Sequence, residues 1–303
     1  EFSELSDCIY RHFQNHLSVE KYVRQHWAWG YFFSRFLEWW FKRLRPKLIG
    51  FSNSGSKTGT IYAAHKSGIP IFEMQHGDTS PLEIKSSFPD LPKDQLVIPD
   101  YILTFGPFWN HRHNLPCTKI PVGFPIFDQT RLESHATQTR NPKSIIGISV
   151  LDHRFANSFL EAARRLPEFT FYYKLREEEY SCWRSLYSEF QNLPANFKVV
   201  DNNNTSLYSL LLSVNYVIST SSTVLYEGLC LGNSVLIFDG YFYESVLDLV
   251  DQGFARLVKT TGEIVEALSS QPTAPRADVA SHFFATESPI RLRQAYKQMI
   301  SKN

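Results

Sequence analysis

From Lys47 onward, short apolar runs alternate with helical patterns, and few folds accept that rhythm. Lys47–Phe51 reads as a strand, Ser52–Thr60 as a polar Gly/Ser loop, Thr60–Ser67 as a short helix and Ile69–Met74 as the next strand. Tyr101–Phe105 and Lys119–Val122 continue the series. A second series follows Ser144. Its expected strands are Ser144–Val150, Thr170–Lys174, Phe197–Val200, Tyr216–Ser219 and Ser234–Phe238. Its expected helices lie near Asn157–Arg165, Tyr180–Phe190, Ser206–Leu212 and Thr223–Leu231. Strands linked by helices form parallel sheets with right-handed crossovers, so the fold class is α/β. The polar stretch Thr130–Lys143 reads as the linker between two domains, 1–129 and 144–287, with a closing helix in 288–303. A length of 303 residues suits two such domains.

Two doubly wound, Rossmann-like domains in series create a cleft between the carboxyl ends of their sheets. Ligands bind there, where helix N-termini aim backbone N–H groups outward. Tyr216–Asp239 carries the strongest such signal: an apolar strand runs into Ser219, Thr220, Ser221, Ser222 and Thr223, and a helix begins. Hydroxyls at that position cap free N–H groups or, with the helix dipole, hold a phosphate. Both uses stay open for Ser222. Glu227 lies one turn further on, where a carboxylate suits a ribose hydroxyl, although a solvated helix residue fits equally.

The segment LYSLLLSVNYVISTSSTVLYEGLCLGNSVLIFD resembles the donor-binding part of GT-B glycosyltransferases. It is similar to bacterial capsule-polysaccharide and teichoic-acid transferases, including CDP-glycerol glycerophosphotransferases and bacterial sialyl- or Kdo-transferases. The resemblance implies a GT-B-like pair of domains, a nucleotide-activated donor and donor phosphate held by Ser221, Ser222 and Thr223. Those families often carry Lys-x-His-Pro after the second strand of this domain. Here Lys174 is kept, and Arg176-Glu177 stand where His-Pro would fall. A guanidinium can pair with a diphosphate through two hydrogen bonds, so Lys174 and Arg176 join the expected donor contacts. A solvated charge run is the plainer reading of the same residues.

The strand Ile69–Met74 ends in Gln75-His76-Gly77-Asp78, which with Glu73 resembles the E-x-Q-H-G element of the same transferases. Transfer to a hydroxyl needs somewhere for its proton to go, and a cleft His or Asp serves. His76 is the first candidate base, Asp78 the second or its orienting group, and Glu73 a weaker one. A structural role remains open for each. The Ser52–Thr60 loop lacks the GxxxxGK[ST] spacing of a phosphate-binding P-loop.

Residues 22–45 are crowded with aromatics, which surround the helix rather than marking one stripe, and end in Lys42, Arg43 and Arg45. Such a helix can be core, or it can meet a membrane surface through Trp39, Trp40 and those basic residues. A net charge of +1 argues against a nucleic-acid partner. Cys8, Cys117, Cys182 and Cys230 form no CxxC pair, so zinc spacing and a disulfide framework are absent. With no apolar run near the roughly 18 residues of a membrane span, a cytoplasmic protein, at most touching the inner membrane face, is expected.

The expected function is metal-independent transfer of a sugar from a nucleotide-activated donor to a hydroxyl of a glycan or lipid-linked glycan, in bacterial surface-polysaccharide synthesis. No Asp-x-Asp pair stands in a promising loop, and no cofactor is expected. Three alternatives stay open: transfer of a polyol phosphate, 2-epimerisation of a nucleotide sugar, and a non-catalytic glycan- or nucleotide-binding module.

Overall fold

The computed structural model describes residues 2–13, 18–80, 82, 91–112, 114–134, 140–270 and 279–301. The chain opens with α1 (Phe2–Phe13) and α2 (Val19–Leu44), then runs β1 (Ile49–Phe51), α3 (Thr58–Lys66), β2 (Ile71–Met74) and β3 (Tyr101–Thr104). It continues through α4 (Pro107–Arg112), β4 (Thr118–Pro121) and α5 (Pro125–Ser134). The second series is β5 (Asn141–Ile148), α6 (His153–Arg165), β6 (Thr170–Lys174), α7 (Trp183–Leu186), β7 (Phe197–Val200) and α8 (Leu207–Ser213). Then come β8 (Val214–Ser219), α9 (Thr223–Leu231), β9 (Ser234–Phe238), α10 (Asp248–Asp251), β10 (Ala255–Val258) and α11 (Thr261–Ser269). Short α12 (Val279–Phe283) and longer α13 (Ser288–Ser301) close the chain.

Two parallel sheets result. The first has the order β1-β2-β3-β4, the second β10-β9-β8-β5-β6-β7. The second order is doubly wound: the chain builds outward from β5 to β7, returns to β8 beside β5, and builds the other way. Its two halves diverge between β5 and β8, which is where such a sheet opens a crevice at its carboxyl edge. Aliphatic and aromatic side chains fill both faces, as a sheet covered on both sides demands. Phe155, Phe159, Phe171 and Tyr173 lie on one face, and Val217, Leu225, Leu229 and Ile237 on the other.

The first sheet borrows part of its cover from the end of the chain. Ala295 and Met299 of α13 pack on Tyr101, Leu103 and Val122, while Ile61 and Ala64 of α3 cover the opposite side with Ile69 and Ile71. The crossing is tight. A Cβ on Gly106 would stand 2.4 Å from the Phe283 carbonyl oxygen, and Ala285 N donates to Phe105 O at 2.7 Å. Asp128 of α5 receives both Ser288 N (2.8 Å) and Ser288 Oγ (2.6 Å), fixing the start of α13.

Three expectations need correction. The stretch 130–143 is not simply a linker: helix continues to Ser134 and strand starts at Asn141, with 135–139 outside the described residues. Tyr180–Phe190 is not one helix. It breaks into short turns around α7 because Tyr187 is drawn inward, its hydroxyl donating to Glu179 Oε1 at 2.5 Å. The core reading of α2 also fails, since Trp27, Trp29 and Phe32 are 73%, 77% and 72% exposed. At helical spacing, Gly30, Ser34 and Phe41 face α3. Glu20, Arg24, Arg35, Glu38 and Lys42 share a charged face with ion pairs Arg24–Glu20 (2.8 Å) and Arg35–Glu38 (3.1 Å). Trp29, Phe32, Phe36, Trp39 and Trp40 share a third, exposed face, while other aromatics, the exposed Trp27 among them, lie elsewhere around the helix.

Candidate functional site

The carboxyl ends of β8, β5 and β6 stand side by side. Ser219 Oγ donates to Ile148 O at 3.1 Å, and Ser149 N donates to Lys174 O at 2.9 Å. Three loops therefore leave the crevice together: Ser219–Ser222 after β8, Ser149–Asp152 after β5, and Leu175–Arg176 after β6. Ser222 is the N-cap of α9, its Oγ accepting from Val224 N at 3.2 Å. Ser221, Ser222 and Thr223 are half-buried, and Thr220 is buried, donating to Tyr241 O at 2.8 Å. The helix start thus gathers oriented N–H groups and hydroxyls at the divergence of the sheet, an arrangement suited to an anion.

The two expected cations divide. Lys174 is buried and turns toward β7: its Nζ donates to the Tyr180 hydroxyl and, at 3.2 Å, to Asn202 O. Arg176 stays at the crevice, Nε donating to Ser149 O at 3.2 Å, with its side chain 47% exposed. Beneath it, Glu179 is buried and accepts from Arg176 N (2.6 Å), Ser149 Oγ (2.8 Å) and the Tyr187 hydroxyl. This carboxylate fixes the loop that carries Arg176. Glu227 is 5% exposed, and burial lifts its carboxyl above the ordinary range against hydrogen bonds from Tyr208 and Thr223.

On the first sheet, Gln75 is the anchor. Its N donates to Leu103 O (2.9 Å), its Nε2 to Gly77 O (3.0 Å), and its Oε1 accepts from Phe105 N (2.8 Å). This buried amide locks the turn on which His76 stands exposed. Glu73 is half-buried and accepts from Ser54 N at 3.2 Å, tying down the loop after β1. Asp78 meets Arg112 at 3.4 Å, and Arg112 also reaches Asp248 (2.5 Å), the Tyr226 hydroxyl (3.3 Å), Thr79 O (2.7 Å) and Ser245 O. Burial alone would lower the Arg112 pKa, but Tyr226, Asp78 and Asp248 outweigh it and raise it. One guanidinium therefore ties the His76–Asp78 turn to α9 and α10 of the second domain.

Sequence reasoning did not single out Arg112, whose partners lie 34 and 136 residues away. It also passed over His153, which opens α6 beside the crevice with Nδ1 at 3.1 Å from Glu189. The Gly240-Tyr241-Phe242 turn was missed too, although a glycine and two aromatics directly after a strand were a readable sign. A cavity of ≈ 80 Å³ lined by Tyr216, Ser234, Ala255 and Arg256 lies at the opposite end of the sheet, where β9 and β10 begin, remote from these groups. Among the described residues, no group of three or more His, Cys, Asp or Glu could hold a metal ion.

No family model and no curated protein matches the sequence. Solved structures do. MnaA of S. aureus, solved with UDP, is 12% identical over 92% of this chain and 82% of that one, with a TM-score of 0.62. UDP-GlcNAc 2-epimerase of Neisseria meningitidis, bound to UDP-GlcNAc, is 17% identical over 89% and 80%, with a TM-score of 0.57. The spinosyn forosaminyltransferase SpnP is 15% identical over 88% and 78%, with a TM-score of 0.58. The chain has the GT-B fold. At these identities the likeness is one of fold, and it is shared by epimerases and transferases alike.

Proposed function

We propose that this chain is a glycosyltransferase that takes a sugar from a nucleotide-activated donor and passes it to a hydroxyl acceptor. The observation that carries the reading is the hydroxyl-rich start of α9 at the divergence of β5 and β8, with Arg176 beside it. There the donor diphosphate lies against Ser221, Ser222, Thr223 and the N–H groups of α9, while Glu227, buried and bonded by Tyr208 and Thr223, supports the helix start from within. His76 takes the acceptor's proton as the acceptor oxygen bonds to the anomeric carbon. The carbon–oxygen bond to phosphate breaks, and its electron pair leaves on the nucleoside diphosphate, whose charge the helix start and Arg176 stabilise. These groups supply that stabilisation without calling on a metal ion.

Epimerisation at C2 is the second reading, favoured by the epimerases among the structural neighbours. It requires a proton to leave one face of the sugar and return on the other. The carboxylates that flank His76 in the sequence are already engaged, Asp78 by Arg112 and Glu73 by Ser54 N, which fits one-base transfer better. In this reading the acceptor is a glycan of surface-polysaccharide synthesis, and the exposed aromatic face of α2 with Lys42, Arg43 and Arg45 rests on the cytoplasmic side of an anionic membrane. No helix among the described residues is long and apolar enough to cross one.

A thermal-shift screen with CMP, CDP, UDP and GDP tests the donor site. A bound nucleotide at about 100 times its Kd adds about 2.7 kcal/mol of stability, and no response to any of the four would overturn the reading. With the matching nucleotide sugar, release of nucleotide only when a hydroxyl acceptor is added marks a transferase. Formation of the C2 epimer without acceptor marks the epimerase.

A further inference from the structure

The loop after β9 is built across the crevice. Asp239 N donates to Val258 O (2.9 Å), Tyr241 N to Asp152 Oδ2 (2.7 Å), and Tyr241 O accepts from Thr220 Oγ1 (2.8 Å). Backbone bonds therefore pin Tyr241 to the loops after both β5 and β8. Gly240 is required by this crossing, since a Cβ there would fall 2.3 Å from Asp152 Oδ2 and 2.6 Å from Thr220 Cγ2. Phe242 takes a left-handed backbone (φ 60°), which a bulky residue adopts only when its surroundings impose it. So much constraint delivers an aromatic side chain to solvent: Tyr241 is 72% exposed, with the Phe242 ring 6.2 Å away and Glu244 exposed on the same loop.

We infer that Tyr241 and Glu244 form the subsite for the sugar of the donor, Tyr241 lying against the apolar face of the pyranose ring and Glu244 accepting from its hydroxyls. The inference rests on the donor reading above. A diphosphate at the start of α9 leaves two directions for the groups it joins. Toward β6 and β7 stand Arg176 and the exposed Asn202–Asn204 turn, whose amides bond Asp201, Glu177 and the Tyr180 hydroxyl, and this side is left for the base. Toward β9 the Tyr241–Glu244 loop runs on to Ser245 and Asp248, which Arg112 holds together with Asp78, two residues from His76. The transferred ring must approach His76, so it leaves on the β9 side.

The test compares direct titrations of the best-binding nucleoside diphosphate and of its sugar conjugate, using wild type, Tyr241→Ala, Tyr241→Phe and Glu244→Gln. Because both side chains are exposed, folded variants are expected, and circular dichroism checks this. Tyr241→Ala should weaken the sugar conjugate about 3–10-fold, the range of an aromatic contact, with the bare diphosphate nearly unchanged. Tyr241→Phe should restore binding, and Glu244→Gln should weaken the conjugate alone. Equal loss for diphosphate and conjugate would move the platform to the base and overturn the assignment, as would no loss for either. A wild type that binds no nucleotide would instead remove the donor reading beneath it.

Discussion

Arg112 neutralises two carboxylates at once, in a place where its own side chain is 10% exposed and those of Asp78 and Asp248 are 15% and 23% exposed. Arg112→Met should therefore destabilise the protein by about 3–5 kcal/mol, the cost of leaving charges buried and unpaired. Calorimetry would show it as a lowered Tm, and a change below about 1 kcal/mol would mean that solvent replaces the guanidinium. The ligand-facing groups call for a different readout. Ser222 serves α9 as its cap, so Ser222→Ala should cost about 1 kcal/mol of stability besides any donor affinity, which leaves Ser221→Ala as the cleaner probe. Loss of one hydrogen bond to a charged phosphate should weaken nucleotide binding by about 1.5–3 kcal/mol. His76→Ala should do the reverse, lowering kcat about 10²–10⁴-fold while direct titration finds donor affinity near wild type. If kcat is unchanged, His153 and Glu244 are the exposed groups to test next.

At the level of elements, Asp100 shows how one side chain sets a strand. It precedes β3, and its Oδ2 accepts from Ile71 N at 3.0 Å, at the start of β2. Burial alone would raise its pKa. Hydrogen bonds from His65, Lys93 and Ile71 N outweigh that and hold it at about 2, below the ordinary 3.8. Its contribution is complete above about pH 4 and disappears as pH falls toward 2, so Asp100→Asn should flatten acid unfolding in that window and cost stability at neutral pH. The exposed aromatic face of α2 gives another test: sedimentation with anionic vesicles at low salt, released as salt screens Lys42, Arg43 and Arg45. Absence of sedimentation at low salt would assign that face to something other than lipid. These elements were unequally legible in the sequence. Helix α9 and strand β9 stand where their pattern put them, because hydroxyl cap, apolar run and Gly232 all agree. The Tyr180–Phe190 pattern promised a helix, but Tyr187 turns inward to a buried Glu179–Ser149 pair and the segment breaks into short turns. Short β10 was overlooked, since four residues after Gly253 carry little periodicity. In the site, the hydroxyl turn announced itself through composition, whereas Asp78 met its partner Arg112 only through folding.

The whole molecule is a chain that returns to where it began. Met299→Lys should loosen the first domain rather than the second, because a charge would enter the patch formed by Tyr101, Leu103 and Val122. Hydrogen exchange resolved by segment should show protection falling in β3 and β4 and holding in β5 and β8, and equal loss in both sheets would contradict this division. The same packing bears on how the protein is made. The second sheet is assembled from one continuous stretch, but the face of β3 waits for residues about 195 positions further along. At about 5–20 residues per second, that wait lasts on the order of 10–40 s on a ribosome. During that interval Tyr101, Leu103 and Val122 lack their cover, and they are the surface a nascent-chain chaperone would hold.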